Sequence, residues 1–150
     1  MMDFKVLRLE QLTDTLKGVR VPHRPPTGWI RAIRTTLGMT TRQLAERLGV
    51  GQSTALALEK SEADDRITLH SLRRAAEALD CELHYVLVPR RPLTETVEQR
   101  AKEAASQTVG SVLHTMRLED QSLSDDHTRR MAAKEAENAL TGRWSKLWER

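Results

Sequence analysis

The chain has 150 residues, 39% hydrophobic but only 3% aromatic, and a formal charge of +3 carried unevenly: 15 Lys/Arg against 11 Asp/Glu up to residue 91, then 9 against 10. That length fits one ordinary domain, or a small one with an extension, and its core has to be built from Leu, Ala, Val and Ile. A single cysteine, Cys81, excludes an intramolecular disulfide, apolar runs as short as 55–58 exclude a membrane span, and the first residues lack the basic-then-apolar pattern of a signal peptide, so a cytoplasmic protein is expected.

Lys5 to Gly18 repeats Val6, Leu9, Leu12 (or Thr13) and Leu16 at helical spacing and reads as an amphipathic helix stopped by Gly18. Val19 to Gly28 carries three prolines, which keep it out of a helix, and Arg20, His23 and Arg24 make it a basic arm. Such an arm either runs along DNA, with Arg24 as a contact, or is a rigid linker. The prolines alone account for the spacing, which favours the linker. Trp29 to Leu37 predicts a helix with Ile30, Ile33 and Leu37 inward and Arg31 and Arg34 outward, ended by Gly38.

The rest of the chain is organised around Thr40 to Lys60, TTRQLAERLGVGQSTALALEK. Thr40 or Thr41 can cap a first short helix whose Leu44, Ala45 and Leu48 form one apolar stripe. Gly49 stands where a helix end needs a left-handed residue, Val50 can plug the turn, and Gly51 can cap a second helix with Ala55 and Leu58 inward. Gln52, Ser53, Leu56 and Ala57 are left outward at that helix's N-terminal end. This is the layout of a helix-turn-helix, whose second helix offers its first residues to base edges in the major groove. The segment resembles the Cro/C1-type (Xre) family on Gln52-Ser53-Thr54 and Leu58-Glu59, and the resemblance extends over Trp29 to Pro89, implying about five short helices.

The candidate DNA contacts are Thr41, Arg42, Gln52, Ser53, Thr54, Leu56, Ala57 and Lys60, with Arg31, Arg34 and Arg24 outside the motif. A Gln52 amide can pair bidentately with adenine, and Ser53 can meet a base or phosphate. Leu56 and Ala57 can only touch thymine methyls or fill space. The arginines and Lys60 suit phosphates, or are ordinary solvated residues.

Beyond a polar connector at Ser61 to Arg66, Thr68 can cap a further helix with Leu69, Leu72, Ala75, Ala76 and Leu79 inward. Cys81 to Pro89 changes to β-favouring residues with no comparable run elsewhere to pair with. The economical partner is the same strand of a second subunit, with Leu83, Tyr85 and Leu87 as dimerisation residues. Dimerisation would also set two reading helices roughly 34 Å apart, one groove turn.

After Pro89-Arg90-Arg91-Pro92, Leu93 to Glu119 predicts a helix through Val97, Ala101, Ala104 (or Ala105), Thr108, Val112 and Met116, with Gly110 weakening it. Ser124 ahead of Asp125 and Asp126 can start a last helix with Ala132, Ala136, Ala139 and Leu140 inward, and Trp144, Leu147 and Trp148 gather past Gly142. The expectation is therefore a mainly α chain in three parts. Residues 1–28 form a helix and arm, 29–89 a five-helix domain ending in a dimerising strand, and 90–150 a helical hairpin. No nucleophile motif, phosphate loop or metal-ligand spacing is present, so no catalysis, cofactor or metal is expected.

Taken whole, the chain resembles the mobile mystery protein A family. The resemblance rests on the leading helix, the segment Arg24 to Arg31, the Xre domain, Ala78-Leu79-Asp80-Cys81 and Thr115-Met116-Arg117-Leu118-Glu119-Asp120. It implies an operator-binding repressor and antitoxin-like partner of a Fic-domain protein. Inhibitory helices of Fic enzymes carry a Ser/Thr-x-x-x-Glu pattern, which Thr115 and Glu119 match in spacing, although Asp120 departs from the residue that ends it. The alternative is an inhibitor that binds a partner enzyme mainly through its C-terminal helices, with Trp144 and Trp148 as anchors.

Overall fold

A computed structural model describes residues 3–118 and 124–149. In order, the elements are α1 (Phe4–Leu16), α2 (Trp29–Thr36), α3 (Thr41–Leu48), α4 (Gln52–Ala63), α5 (Leu69–Ala78), α6 (Leu93–Leu118) and α7 (Asp125–Thr141), followed by a 3-10 turn, Trp144–Trp148. The chain packs as two units. One is Arg20–Leu87, and the other joins the described residues of Met1–Val19 to those of Val88–Arg150.

In Arg20–Leu87, local signals start each helix. Thr40 accepts from the Gln43 N–H while the Gln43 side chain accepts from the Thr40 N–H, a reciprocal cap that opens α3. Thr68 accepts from the Ser71 N–H and opens α5. The apolar stripes of α2, α3 and α5 then meet in a core of Ile30, Leu44, Leu48, Ala75 and Leu79, with Ile33, Val50, Leu58, Ile67 and Leu72 half-buried around it. Leu44 is wholly buried, which contributes about 1.5–3 kcal/mol relative to leaving it in water.

One expectation is corrected in this unit, and a second is not seen in the single chain. Residues 29–89 hold four helices rather than five. Helix α4 runs on to Ala63, through half of the expected connector, and Thr68 opens α5 five residues later, leaving no room for another helix. The expected strand with Leu83, Tyr85 and Leu87 is not seen, since Cys81 to Pro89 carries no regular secondary structure. A strand exists by virtue of its ladder, and the sequence supplies no second run to form one within the chain.

In the other unit, α1 is capped by the Asp3 carboxylate, which accepts from the Lys5 N–H, and α7 by Ser124, which accepts from the His127 N–H. Among the described residues of this unit, the buried side chains are Ala101, Ala105, Val109 and Leu147. The α6 stripe therefore runs 101–105–109 rather than through Thr108 and Val112, both of which are exposed. Lys5 donates to the carbonyls of Thr141 at 3.1 Å and Gly142 at 2.6 Å and lies over the Trp144 ring, fastening α1 to the end of α7. Arg100 donates to the Leu147 carbonyl at 2.7 Å and to Glu103 at 2.6 Å, and its guanidinium lies over the Trp148 ring. The Gln99 amide and that guanidinium hold the Glu103 carboxyl below the usual carboxylate range. Among the described residues, no helix is long and apolar enough to cross a membrane.

Candidate nucleic-acid interface

Helices α3 and α4 are joined by Gly49, Val50 and Gly51. Gly49 is left-handed at φ 69°, a conformation that a β-carbon disfavours, and its N–H returns to Glu46 while that of Val50 returns to Ala45 at 3.0 Å. Val50 turns half inward onto the core. Helix α4 then leaves Gly51 with its rear anchored by Ala55, which is fully buried, and Leu58. Its front presents Gln52, Ser53, Thr54, Leu56, Ala57 and Lys60 to solvent.

The N-termini of α2, α3 and α4 differ in a way that bears on phosphate binding. That of α3 is closed by its reciprocal cap, and that of α2 by a carboxylate from Glu62. Helix α4 begins on Gly51, which offers no side chain, and among the described residues no side chain accepts from the N–H groups of Gln52 or Ser53. Those donors point along the positive end of the helix dipole and suit an anion.

Two buried carboxylates set the tilt of α4. Glu59 is buried and accepts from the Arg34 Nε, and from its Nη2 at 3.1 Å, while Arg34 Nη1 donates to the Met39 carbonyl at 2.8 Å. The pairing with Glu59 holds the Arg34 guanidinium even more firmly protonated than usual. Glu62, three residues on, accepts from the backbone N–H groups of Trp29 at 2.8 Å and Ile30 at 2.9 Å. The C-terminal half of α4 is thus bolted to both ends of α2.

Arg34 was expected outward and on phosphates. It is instead 8% exposed and spent on α4, because the sixth residue of α2 faces the helix that Glu59 occupies. Arg24 is likewise turned inward along its own unit. It donates to the Glu62 carbonyl and pairs with Asp65 at 2.9 Å, closing the C-terminal end of α4. A helix of 12 residues is about 18 Å long, so that end lies well away from Gln52. The basic arm is pinned at Arg24 to the C-terminal end of α4.

The remaining candidates fall where expected or nearby. Arg31 is exposed on α2; Arg42 is exposed on α3 and pairs with Glu46 at 3.2 Å; Thr41 is half-buried in the first turn of α3. Leu83 is half-buried, whereas Tyr85 and Leu87 are 67% and 85% exposed. Thr115 is exposed and donates to the Ser111 carbonyl at 3.2 Å, and Glu119 lies outside the described residues. Trp144 is half-buried under Lys5, with its indole N–H on the Leu140 carbonyl at 2.7 Å, which makes it a packing residue; Trp148 is 55% exposed.

Glu59 and Glu62 were missed as positioning residues, although a signal existed. Ala55, Leu58, Glu59 and Glu62 share one helical face, and a carboxylate on an inward face needs a buried donor. Among the described residues, no cluster of three or more His, Cys, Asp or Glu side chains could hold a metal ion.

Residues 30–86, from α2 through α5 into the tail, match the model of the Helix-turn-helix family, of the Cro/C1 type. That family consists of DNA-binding domains and suggests a transcription regulator. No curated protein and no solved structure matches the chain.

Proposed function

We propose that this chain, with a helix-turn-helix domain over residues 30–86, is a dimeric, sequence-specific DNA-binding repressor that reads its operator through the first turns of α4. The observation that carries the reading is a helix anchored at its rear by Ala55, Leu58, Glu59 and Glu62 while Gln52 to Thr54, Leu56 and Ala57 stand in water. In this reading Gln52 pairs with adenine, Ser53 and the uncapped N–H groups meet a base edge or phosphate, and Leu56 and Ala57 meet thymine methyls. Arg31, Arg42 and Lys60 neutralise phosphates. Arg34 and Arg24 take no part, being committed within the domain.

The test is selection from randomised duplexes with the full-length chain, followed by Gln52→Ala on the selected site. The variant is expected to lose about 1–3 kcal/mol of preference at one base pair, with other positions unchanged. An equal loss on every sequence would contradict a base-reading role for Gln52.

The length-wide resemblance supports a further role as antitoxin-like partner and autoregulator of a Fic-domain toxin. On this reading, Glu119→Gly frees the co-expressed toxin without weakening operator binding, and growth arrest in co-expressing cells reads it out. Inhibition that persists in the variant would remove Glu119 from the mechanism. Trp148, exposed beside Arg100, favours partner docking through the C-terminal helices, with DNA binding secondary, as the second reading.

A further inference from the structure

We propose that the groove between the Pro-rich arm and the tail of unit Arg20–Leu87 binds a small amphipathic anion, a carboxylate carried on an apolar chain. The groove has a volume of about 850 Å³, and its floor is apolar, built from Ile33 of α2, Leu72 and Ala76 of α5, and Leu83 of the tail. Trp29 and Tyr85 also line it and stay 38% and 67% exposed. Small-molecule sites have this size and lining, with few polar groups to fix orientation. Large apolar side chains left in water around one concavity mark a surface that something covers.

The charge at the rim selects the occupant. Arg20 lines the groove, and among the described residues it has no carboxylate at ion-pair distance. Glu82, the one acidic residue of the lining, is 85% exposed and lies 3.3 Å from His84. A guanidinium at the edge of an apolar trough fits a carboxylate head with the chain laid along Ile33, Leu72 and Ala76. No residue of α3 or α4 lines the groove, so the inference does not rest on the DNA-reading helix; Leu83 and Tyr85 line it and are also residues of the proposed dimer, so a bound carboxylate and a second copy compete for them.

Calorimetric titration of the full-length protein with decanoate, decan-1-ol and decyltrimethylammonium, each below its micelle concentration, tests it. The expected result is saturable binding of one decanoate per chain, at least about tenfold tighter than the cation. Arg20→Glu should weaken decanoate about tenfold and leave decanol unchanged, because only the head-group contact is lost. Ala76→Phe, which fills the floor, should weaken both. Arg20 is on the surface, so its variant remains readable even if Ala76→Phe fails to fold by circular dichroism. Absence of saturation, equal binding of the three probes, or indifference to Arg20→Glu overturns the proposal. So does a groove closed by a second copy, seen as a dimer that Ala76→Phe dissociates while decanoate does not bind.

Discussion

At the scale of the residue, Gly28 and Glu62 act as one device. Gly28 precedes α2 at φ 85° and ψ 163°, a conformation open to glycine alone, and a β-carbon there would lie 2.7 Å from the Glu62 Oε2. The missing side chain makes room for the carboxylate that closes the α2 N-terminus. Gly28→Ala is expected to cost about 1–3 kcal/mol in urea denaturation, and Glu62→Ala about as much, through one buried and one part-buried N–H group left without its acceptor. Because part of the alanine's damage is its collision with Glu62, the double variant should cost less than the two together. Strict additivity would show that the two side chains do not meet. Neither role was legible from the sequence, where Gly28 follows three prolines as an ordinary loop residue and Glu62 sits among charged neighbours. The capping residues Thr40, Thr68 and Ser124 were legible, because a cap and its N–H lie two or three positions apart in the chain.

At the scale of the element, α4 is positioned less by its narrow apolar face than by ionic contact with α2. Ala55 and Leu58 alone give little leverage on a helix of 12 residues, and the Arg34–Glu59 pair adds a directional contact. Removing one member of a buried pair leaves an uncompensated charge, so Glu59→Ala should cost about 3–5 kcal/mol at neutral pH. Arg34→Met combined with Glu59→Leu should recover most of that, less the hydrogen bond to the Met39 carbonyl. Chemical denaturation of the single and double variants measures both. A double variant as unstable as Glu59→Ala would mean that the charge is not the source of the loss. Helix existence and caps were legible here, since Leu44, Ala45 and Leu48 repeat at the helical period. The burial of Arg34 was not, because the period assigns faces only relative to one helix. The same ambiguity moved the α6 stripe from Thr108 and Val112 to Ala105 and Val109, a choice that the neighbouring helices make.

At the scale of the whole molecule, the open question in the sequence was the run Cys81 to Pro89. Most of its apolar residues remain in water in the single chain, with Tyr85, Val86, Leu87 and Val88 all exposed while Leu83 is half-buried. On the proposed dimer, Leu87→Asp should lower the mass measured by light scattering from two chains to one, and weaken binding to an operator with paired half-sites. A dimer of unchanged mass would exclude the segment from the interface. The joining of α1 to the C-terminal helices in one unit was equally outside the reach of sequence. Lys5 meets the carbonyls of Thr141 and Gly142 across more than a hundred residues, a contact that no local pattern announces. The sequence by itself determined the helices, their starts and the helix-turn-helix motif, because caps, turn glycine and apolar period act over a few neighbouring residues. Only the tertiary structure decided which charges are spent inside, since whether Arg34 or Arg24 faces water depends on the helix that packs over it. It showed as well that the β-favouring tail finds no ladder among the described residues, because pairing is a property of two segments in space.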